Sequence, residues 1–185
     1  MVYCFLANGF EEVEAIAPID MLRRAGVEVK TVGVGGDVID GRHGIKVIPD
    51  ADVKDIILDD TLEAVILPGG LPGATNLEES TDVQKAIDFA VSNNKLVCAI
   101  CAAPQILGHK GLLDGKEAIA YPGFEDELKG AIHPDGFSSS KALDNPLIIK
   151  GFGAFLCLKS DKKFTESSEQ NPVFTLWVKG FFSEE

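Results

Sequence analysis

The cysteine at position 101 stands where the chain predicts a tight turn between a strand and a helix. An apolar run from Lys95 to Ile100 has strand character, and the small residues after Cys101 followed by Pro104 indicate a helix over about 102–110. The unpaired N–H groups and positive dipole end of a first helical turn favour a thiolate. We therefore expect Cys101 to be an accessible thiol with a pKa below its ordinary value.

The other cysteines, Cys4, Cys98 and Cys157, do not form the pattern of a secreted disulfide framework, so reduced thiols are expected. Cys98 and Cys101 form a C-x-x-C pair, and a redox dithiol is one interpretation. The favoured interpretation is that Cys98 lies inside the predicted strand as a buried core residue. Because no second pair has zinc spacing, no structural metal is expected.

Strand and helix patterns alternate along the chain, as in a parallel sheet covered by helices. Strands are predicted at residues 2–7, 28–34, 64–67 and 95–100, and helices at 11–25 and 81–91. The first helix has an apolar stripe of Val13, Ile16, Ile19 and Leu22, and the second begins with a Thr81-x-x-Gln84 capping box. Four glycines between 35 and 50 indicate an inserted hairpin.

Length and composition fit one compact domain. The chain has 185 residues, 45% of them hydrophobic, and no apolar segment approaches the ~20 residues that span a bilayer. With 17 basic and 29 acidic residues the net charge is −12, which disfavours nucleic acid or an anionic membrane as partner and favours a small substrate. Residues 1–7 are interpreted as a core strand and not as a secretion signal, so a cytoplasmic location is expected.

Three segments follow predicted strands and can converge at the carboxyl edge of the sheet, where such folds bind ligands. They are 9–14, the Pro68-Gly69-Gly70 turn and Cys101. Paired glycines allow backbone N–H groups to approach an oxyanion, although a plain tight turn is an equal alternative. The glycines at 33–36 do not complete a dinucleotide-binding motif and no P-loop pattern occurs, so no cofactor is expected.

Five ordered motifs carry a family resemblance, namely 8–14, 21–26, 67–70, 74–77 and 99–104. Together they resemble the ThiJ/PfpI superfamily, and within it the DJ-one branch, over residues 1 to about 135. The resemblance implies a flavodoxin-like three-layer α/β sandwich, with a mainly parallel sheet and helices on both faces. It also implies a homodimer.

The same resemblance implies roles for individual residues. Cys101 is the nucleophilic or oxidisable thiol, Glu14 is the acid that bonds to it, and Gly69, Gly70 and Ala102 supply backbone donors. An ionised carboxylate beside a thiolate would repel it, so a helpful Glu14 must be protonated. Without the resemblance, the favoured interpretation of Glu14 is an acid in the first helical turn that serves the helix dipole.

The resemblance also suggests auxiliary residues and shows departures. Tyr121, Arg24 and His43 are possible auxiliary residues, Tyr121 standing where some relatives have histidine. Ala102 occupies the position of a general-base histidine in the protease-like branches, which disfavours peptidase activity. His109 and His133 are expected to be a surface helix residue and a polar-loop residue, without a catalytic role.

The C-terminal part departs from the family pattern. Residues 1–158 are predicted to form the family domain. Residues 159–185 comprise a polar stretch followed by an apolar tail, which is expected to pack on the same domain or on a partner subunit.

The first hypothesis of function is a cofactor-independent cysteine enzyme acting on small reactive carbonyls, of the glyoxalase or deglycase type. Thiolate attack on an aldehyde would form a hemithioacetal at Cys101. The alternative is an oxidative-stress sensor or chaperone in which Cys101 is oxidised to sulfinate. A binding module with an inert thiol is a third possibility.

Overall fold

The structure is a computed structural model that describes residues 1–132 and the backbone of a strand at Phe155–Leu158. The predicted domain end at 158, the predicted docking of 159–185 and the predictions for His133 lie outside the described residues.

The described strands form a six-stranded sheet with the order β5-β2-β1-β6-β7-β8. Its strands are β1 (Val2–Ala7), β2 (Val29–Val34), β5 (Ala51–Asp52), β6 (Ala64–Leu67), β7 (Leu96–Ile100) and β8 (Phe155–Leu158). The first five pair in parallel and β8 is antiparallel to β7. The predicted hairpin is present as β3 (Ile39–Asp40) and β4 (Lys46–Val47).

Helices cover both faces of this sheet. Helix α1 (Glu12–Arg24) packs its residues Ala15, Ile19 and Leu22 on one face. Helices α2 (Gly73–Glu79), α3 (Thr81–Ser92) and α4 (Pro104–His109) pack on the other. Strands β1, β6 and β7 are buried along their whole length, as expected for central strands with both faces covered. The predicted flavodoxin-like sandwich is therefore confirmed.

The apolar stripe predicted for α1 is half wrong. Ile19 and Leu22 are buried, but Val13 and Ile16 are exposed and Ala15 and Pro18 take their places in the core. The buried face also includes Glu12, and both oxygens of its carboxylate form hydrogen bonds with His43 of the hairpin segment. Residues 12, 15, 19 and 22 lie on one side of a 3.6-residue helix, so the helix is rotated away from the side that Val13 and Ile16 occupy.

Two helix starts differ from the predictions. Ser80 caps α3 by accepting the Val83 N–H at 3.4 Å, and the Gln84 side chain donates to the Glu78 carbonyl at 2.9 Å, so the predicted capping box does not form. Helix α4 begins at Pro104 and residues 101–103 form a turn before it. Proline suits the first helical position because the N–H that it lacks would have no partner there.

The state of the cysteines is partly as expected. Cys4 and Cys101 are free, and Cys98 is buried inside β7 as predicted. Cys98, however, is disulfide-bonded, so the expectation of reduced thiols is wrong for it. Because Cys101 is free, the C-x-x-C pair is not joined. The β7–β8 register places the Cα atoms of Cys98 and Cys157 opposite each other, a pairing that sequence spacing does not reveal.

No helix among the described residues is long and apolar enough to cross a membrane.

Candidate active site

The loops that follow β1, β6 and β7 meet at the carboxyl edge of the sheet. These three strands are neighbours in the sheet, and chain order reverses direction between β1 and β6. A ligand crevice forms at such a switch point. The first loop leads into α1 and Glu14, the second contains Gly69 and Gly70, and the third begins with Cys101.

The backbone of Cys101 is in a left-handed conformation with φ of 61°. That conformation costs a residue with a side chain about 1–2 kcal/mol, so the surroundings must hold it. The Ala103 N–H closes the turn on the Ile100 carbonyl at 2.9 Å, and the Tyr121 N–H donates to the Cys101 carbonyl at 2.8 Å. The result is a sharp strand-to-turn corner that lifts the thiol above the sheet edge.

Three groups bond to the Cys101 sulfur, namely the Glu14 carboxyl and the backbone N–H groups of Gly70 and Ala102. Partial burial, the charge of Glu14 and its hydrogen bond raise the pKa of the thiol to about 11, against the smaller lowering effect of the two N–H groups. The expectation of a lowered pKa is therefore wrong, and burial is the main reason. That expectation assumes that the sulfur lies at the first turn of a helix, whereas α4 begins three residues later, at Pro104.

The pKa of the Glu14 carboxyl is also raised. Burial is the main cause and the charge of Glu11 adds to it, while hydrogen bonds with Cys101 and with the Gly69 N–H, at 3.0 Å, act in the opposite direction. The interaction thus has opposite effects on the two groups, because Cys101 lowers the pKa of Glu14 whereas Glu14 raises the pKa of Cys101. The carboxyl and the thiol titrate as a coupled pair in which the carboxyl ionises first and the proton stays on sulfur.

Gly69 and Gly70, at the end of β6, lie too close to neighbouring atoms for either residue to carry a side chain. A Cβ on Gly69 would lie 2.6 Å from both the Cys101 Cβ and Glu14 Oε2, so only glycine lets the acid and the thiol meet. Gly70 has φ of 88°, and a Cβ there would lie 2.5 Å from the Glu11 backbone nitrogen. The Gly69 N–H serves Glu14, whereas the Gly70 N–H faces the sulfur.

The loops after β1 and β6 interlock next to these glycines. The Glu11 N–H donates to the Gly69 carbonyl at 2.9 Å, and the Gly73 N–H donates to the Gly9 carbonyl at 3.3 Å. Gly9 has φ of 86°, and a Cβ on it would lie 2.8 Å from the backbone nitrogen of Pro72. Each loop therefore fixes the path of the other. Glu11 contributes to this contact through its backbone N–H, a role that the residue type does not predict.

The possible auxiliary residues lie in different places. Tyr121 reaches the site through its backbone N–H, and its side chain is exposed. Arg24 pairs with Asp20 at 3.6 Å in the last turn of α1, about 15 Å along the helix from Glu14. His43 bonds to Glu12, not to the Cys101–Glu14 pair. Of the three, only Tyr121 touches Cys101 within the described residues.

Glu11, Glu12 and His43 are the described residues with side-chain ligand atoms close enough to share a metal ion, all within 4.8 Å of one another. Hydrogen bonds already occupy the buried Glu12 carboxylate. Its Oε1 accepts the His43 N–H at 2.6 Å, and its Oε2 lies 2.9 Å from His43 Nδ1. These bonds tie the hairpin to the start of α1 and satisfy the carboxylate without an ion.

A profile of the DJ-1/PfpI family matches residues 1–137. The chain belongs to the DJ-1/PfpI family. Protein DJ-1 homolog A of Arabidopsis thaliana is 40% identical over 125 residues, which are 66% of this chain but 32% of that protein. A deglycase of Pyrococcus abyssi is 36% identical over 129 residues, covering 68% of this chain and 74% of that one.

Solved structures of DJ-1/PfpI proteins have the same fold. Oxidized DJ-1 of Toxoplasma gondii superposes with a TM-score of 0.68 at 34% identity, over 73% of this chain and 74% of that one. The resemblance inferred from five motifs is thus confirmed.

Proposed function

We propose that this DJ-1/PfpI protein is a cofactor-independent cysteine enzyme that acts on small reactive carbonyls, of the glyoxalase or deglycase type. The observation that carries the proposal is the Glu14 carboxyl bonded to the Cys101 sulfur, with the Gly70 and Ala102 N–H groups directed at the same atom. This set contains a nucleophile, a proton carrier and electrostatic donors. The Pyrococcus abyssi relative, named a deglycase, supports the same class of chemistry.

The paired acid and thiol suggest how the first step would proceed. The Cys101 sulfur attacks the aldehyde carbon as its proton moves to Glu14, and the carbon–oxygen π bond becomes an alkoxide. The backbone donors at Gly70 and Ala102 stabilise the growing negative charge. Glu14 then returns the proton to the alkoxide oxygen, which gives a neutral hemithioacetal. The step needs no oxidant or reductant, and burial raises the pKa of Glu14, which favours its taking the proton from sulfur.

Lactate formation from methylglyoxal by the purified protein tests this proposal. We expect turnover by the native protein and only background rates with Cys101→Ala. Cys4→Ala is the matched control, because Cys4 is buried and burial raises its pKa to about 12, so that it should not react. Equal lactate production by native protein and Cys101→Ala would contradict the proposed enzyme.

A second candidate is an oxidative-stress sensor in which Cys101 becomes a sulfinate. The half-buried sulfur already has two N–H donors and one carboxyl around it, and these can bond to added oxygens. The Toxoplasma gondii relative was solved in an oxidized form. Limited peroxide should then add two oxygens to the Cys101 peptide while the Cys4 peptide stays unmodified. A sensor without turnover is indicated if this oxidation occurs but lactate formation is absent.

We also propose that the protein forms a homodimer through the exposed apolar side of α1. Val13 and Ile16 are 49% and 40% exposed there, and Ile45, bonded through its backbone N–H to Glu12, is 58% exposed beside them. Light scattering should show a dimer that Ile16→Glu dissociates. Ile57→Glu, another exposed isoleucine, should have no effect on the dimer.

We also propose a class of substrate and a cellular compartment for this protein. The acidic net charge of −12 supports a small carbonyl substrate over nucleic acid or a membrane surface. The cytoplasm is the proposed compartment, since reducing conditions preserve free thiols such as Cys4 and Cys101. The disulfide at Cys98 counts against it, because such bonds are rare in a reducing compartment.

A further inference from the structure

The imidazole of His109, at the end of α4, lies between two carboxylates. Its Nδ1 is 2.5 Å from Glu78 Oε1, and its Nε2 is 2.8 Å from Glu127 Oε2. Glu78 belongs to α2, and Glu127 belongs to a short 3₁₀ turn at Glu125–Glu127. The ring thus joins three elements that are far apart in sequence. The prediction of His109 as a surface helix residue gives no sign of these contacts.

This arrangement requires a doubly protonated ring. A carboxylate oxygen only accepts hydrogen bonds, and only the imidazolium has N–H groups on both nitrogens. The bonds with Glu127 and Glu78 raise the pKa of His109, and Lys129 acts weakly in the opposite direction. The neighbouring Lys110 is paired with Asp88 of α3 at 2.8 Å. A neutral ring could donate to one carboxylate only and would present a lone pair to the other.

The segment that Glu127 holds, residues 121–128, begins next to the reactive thiol. The Tyr121 N–H donates to the Cys101 carbonyl at 2.8 Å. At the other end the chain touches α4, because a Cβ on Gly108 would lie 2.2 Å from the Glu127 carbonyl oxygen, and Leu128 is buried. Phe124 packs against the core and Leu128 is buried in it, whereas most other side chains between these ends are exposed. Among the contacts described for the segment, the His109–Glu127 pair is the one that depends on a ring proton.

We propose that His109 is a pH-sensitive latch: the imidazolium fastens segment 121–128 to α2 and α4 beside Cys101, and loss of the ring proton releases one carboxylate and loosens the segment. The pKa of His109 is raised in the folded state, so this contribution is complete below the pKa of the unfolded chain and disappears as pH rises through the folded value. The segment is therefore tightest on the acidic side.

Hydrogen exchange of the peptide covering 121–128, followed by mass spectrometry between about pH 5 and pH 9 and corrected for intrinsic rates, tests the latch. Protection in the native protein should fall as pH rises, with its midpoint between the ring pKa of His109 in the opened segment and the ring pKa of the folded protein measured by NMR. The fall can reach tenfold for each pH unit by which that pKa exceeds the unfolded value. In His109→Gln and in Glu127→Gln the same peptide should exchange faster at low pH and show no such midpoint.

His43→Gln is the matched control, because His43 also contacts a glutamate but lies on the hairpin. It should leave the pH dependence of segment 121–128 unchanged, and the α3 peptide should respond to none of the variants. The latch is overturned if native protection does not change with pH, if His109→Gln keeps the same midpoint, or if the His109 pKa is not raised. None of these results depends on turnover, so they are separate from the test of the proposed enzyme.

Discussion

Replacing Glu14 by glutamine should lower the pKa of the Cys101 thiol. Glutamine has nearly the shape of glutamate and can still donate a hydrogen bond to sulfur, but it has no charge. Burial is the largest cause that raises the pKa of Cys101, the charge and the hydrogen bond of Glu14 raise it further, and the value is about 11. Removing the charge should therefore favour the thiolate, while it also removes the group that carries the proton in the proposed reaction.

The size of the effect follows from the geometry. The Glu14 carboxyl bonds to the Cys101 sulfur, so the two acids lie within hydrogen-bond reach of each other. Two unit charges about 4 Å apart at an effective dielectric constant of about 20 repel by about 4 kcal/mol. Because the thiol is only half-buried, we expect solvent screening to reduce this to about 2 kcal/mol. That energy lowers the pKa of the thiol by about 1.5.

The assay is the rate of Cys101 alkylation by iodoacetamide across pH, followed on the Cys101 peptide by mass spectrometry. In Glu14→Gln the rate should begin to rise at lower pH than in the native protein, whereas lactate formation from methylglyoxal should fall. Glu11→Gln is the matched control, since Glu11 affects Glu14 and is not among the groups that act on Cys101. An unchanged or higher thiol pKa in Glu14→Gln would refute the coupled-pair argument.

Two further predictions concern the scaffold of the site. Gly70 has a positive φ, and a Cβ there would lie 2.5 Å from backbone, so Gly70→Ala should lower the free energy of unfolding by about 2–4 kcal/mol and abolish turnover. Gly111 has φ of 71° but faces open space, so Gly111→Ala should lower it by only about 1–2 kcal/mol. Urea unfolding measures both changes. Asp50 accepts bonds from Thr31 and Arg23 that lower its pKa, so its stabilising effect should be present at pH 7 and lost as pH falls below the usual aspartate value of 3.8. Asp50→Asn should therefore lower the free energy of unfolding by about 1–2 kcal/mol at neutral pH and by progressively less as pH falls below 3.8. A loss that does not decrease with falling pH would contradict this.

The central strands could be predicted from sequence because their patterns allow few alternatives. The run Ala64–Leu67 is short, apolar and ended by proline and glycines, and the structure has the same limits for β6. Helix α2 was missed because Gly73–Glu79 contains glycine and polar residues, and its helix depends on Ala74 and Leu77 reaching the core. Strand β5 was missed because two residues, Ala51 and Asp52, carry no periodic signal.

The location of the candidate site was predictable, but its electrostatics were not. Strand order and the carboxyl-edge rule are enough to bring Cys101, Glu14 and Gly70 together. The direction of the thiol pKa depends on how deeply these groups are buried and on where α4 begins, and both depend on tertiary packing. The bonds of His109 involve residues 31 and 18 positions away, so no local pattern contains them.

The interlocked loops after β1 and β6 have a consequence for altering substrate preference by directed evolution. Gly9, Gly70 and Gly73 each face backbone of the other loop at distances that leave no room for a side chain. An insertion in one loop alone, or a substitution of one of these glycines, would displace the donor at Gly70, so functional variants of that kind should change both loops together. A library that keeps these glycines and randomises the exposed side chains of Leu71 and Tyr121 would vary what surrounds the thiol while keeping the groups that bond to it.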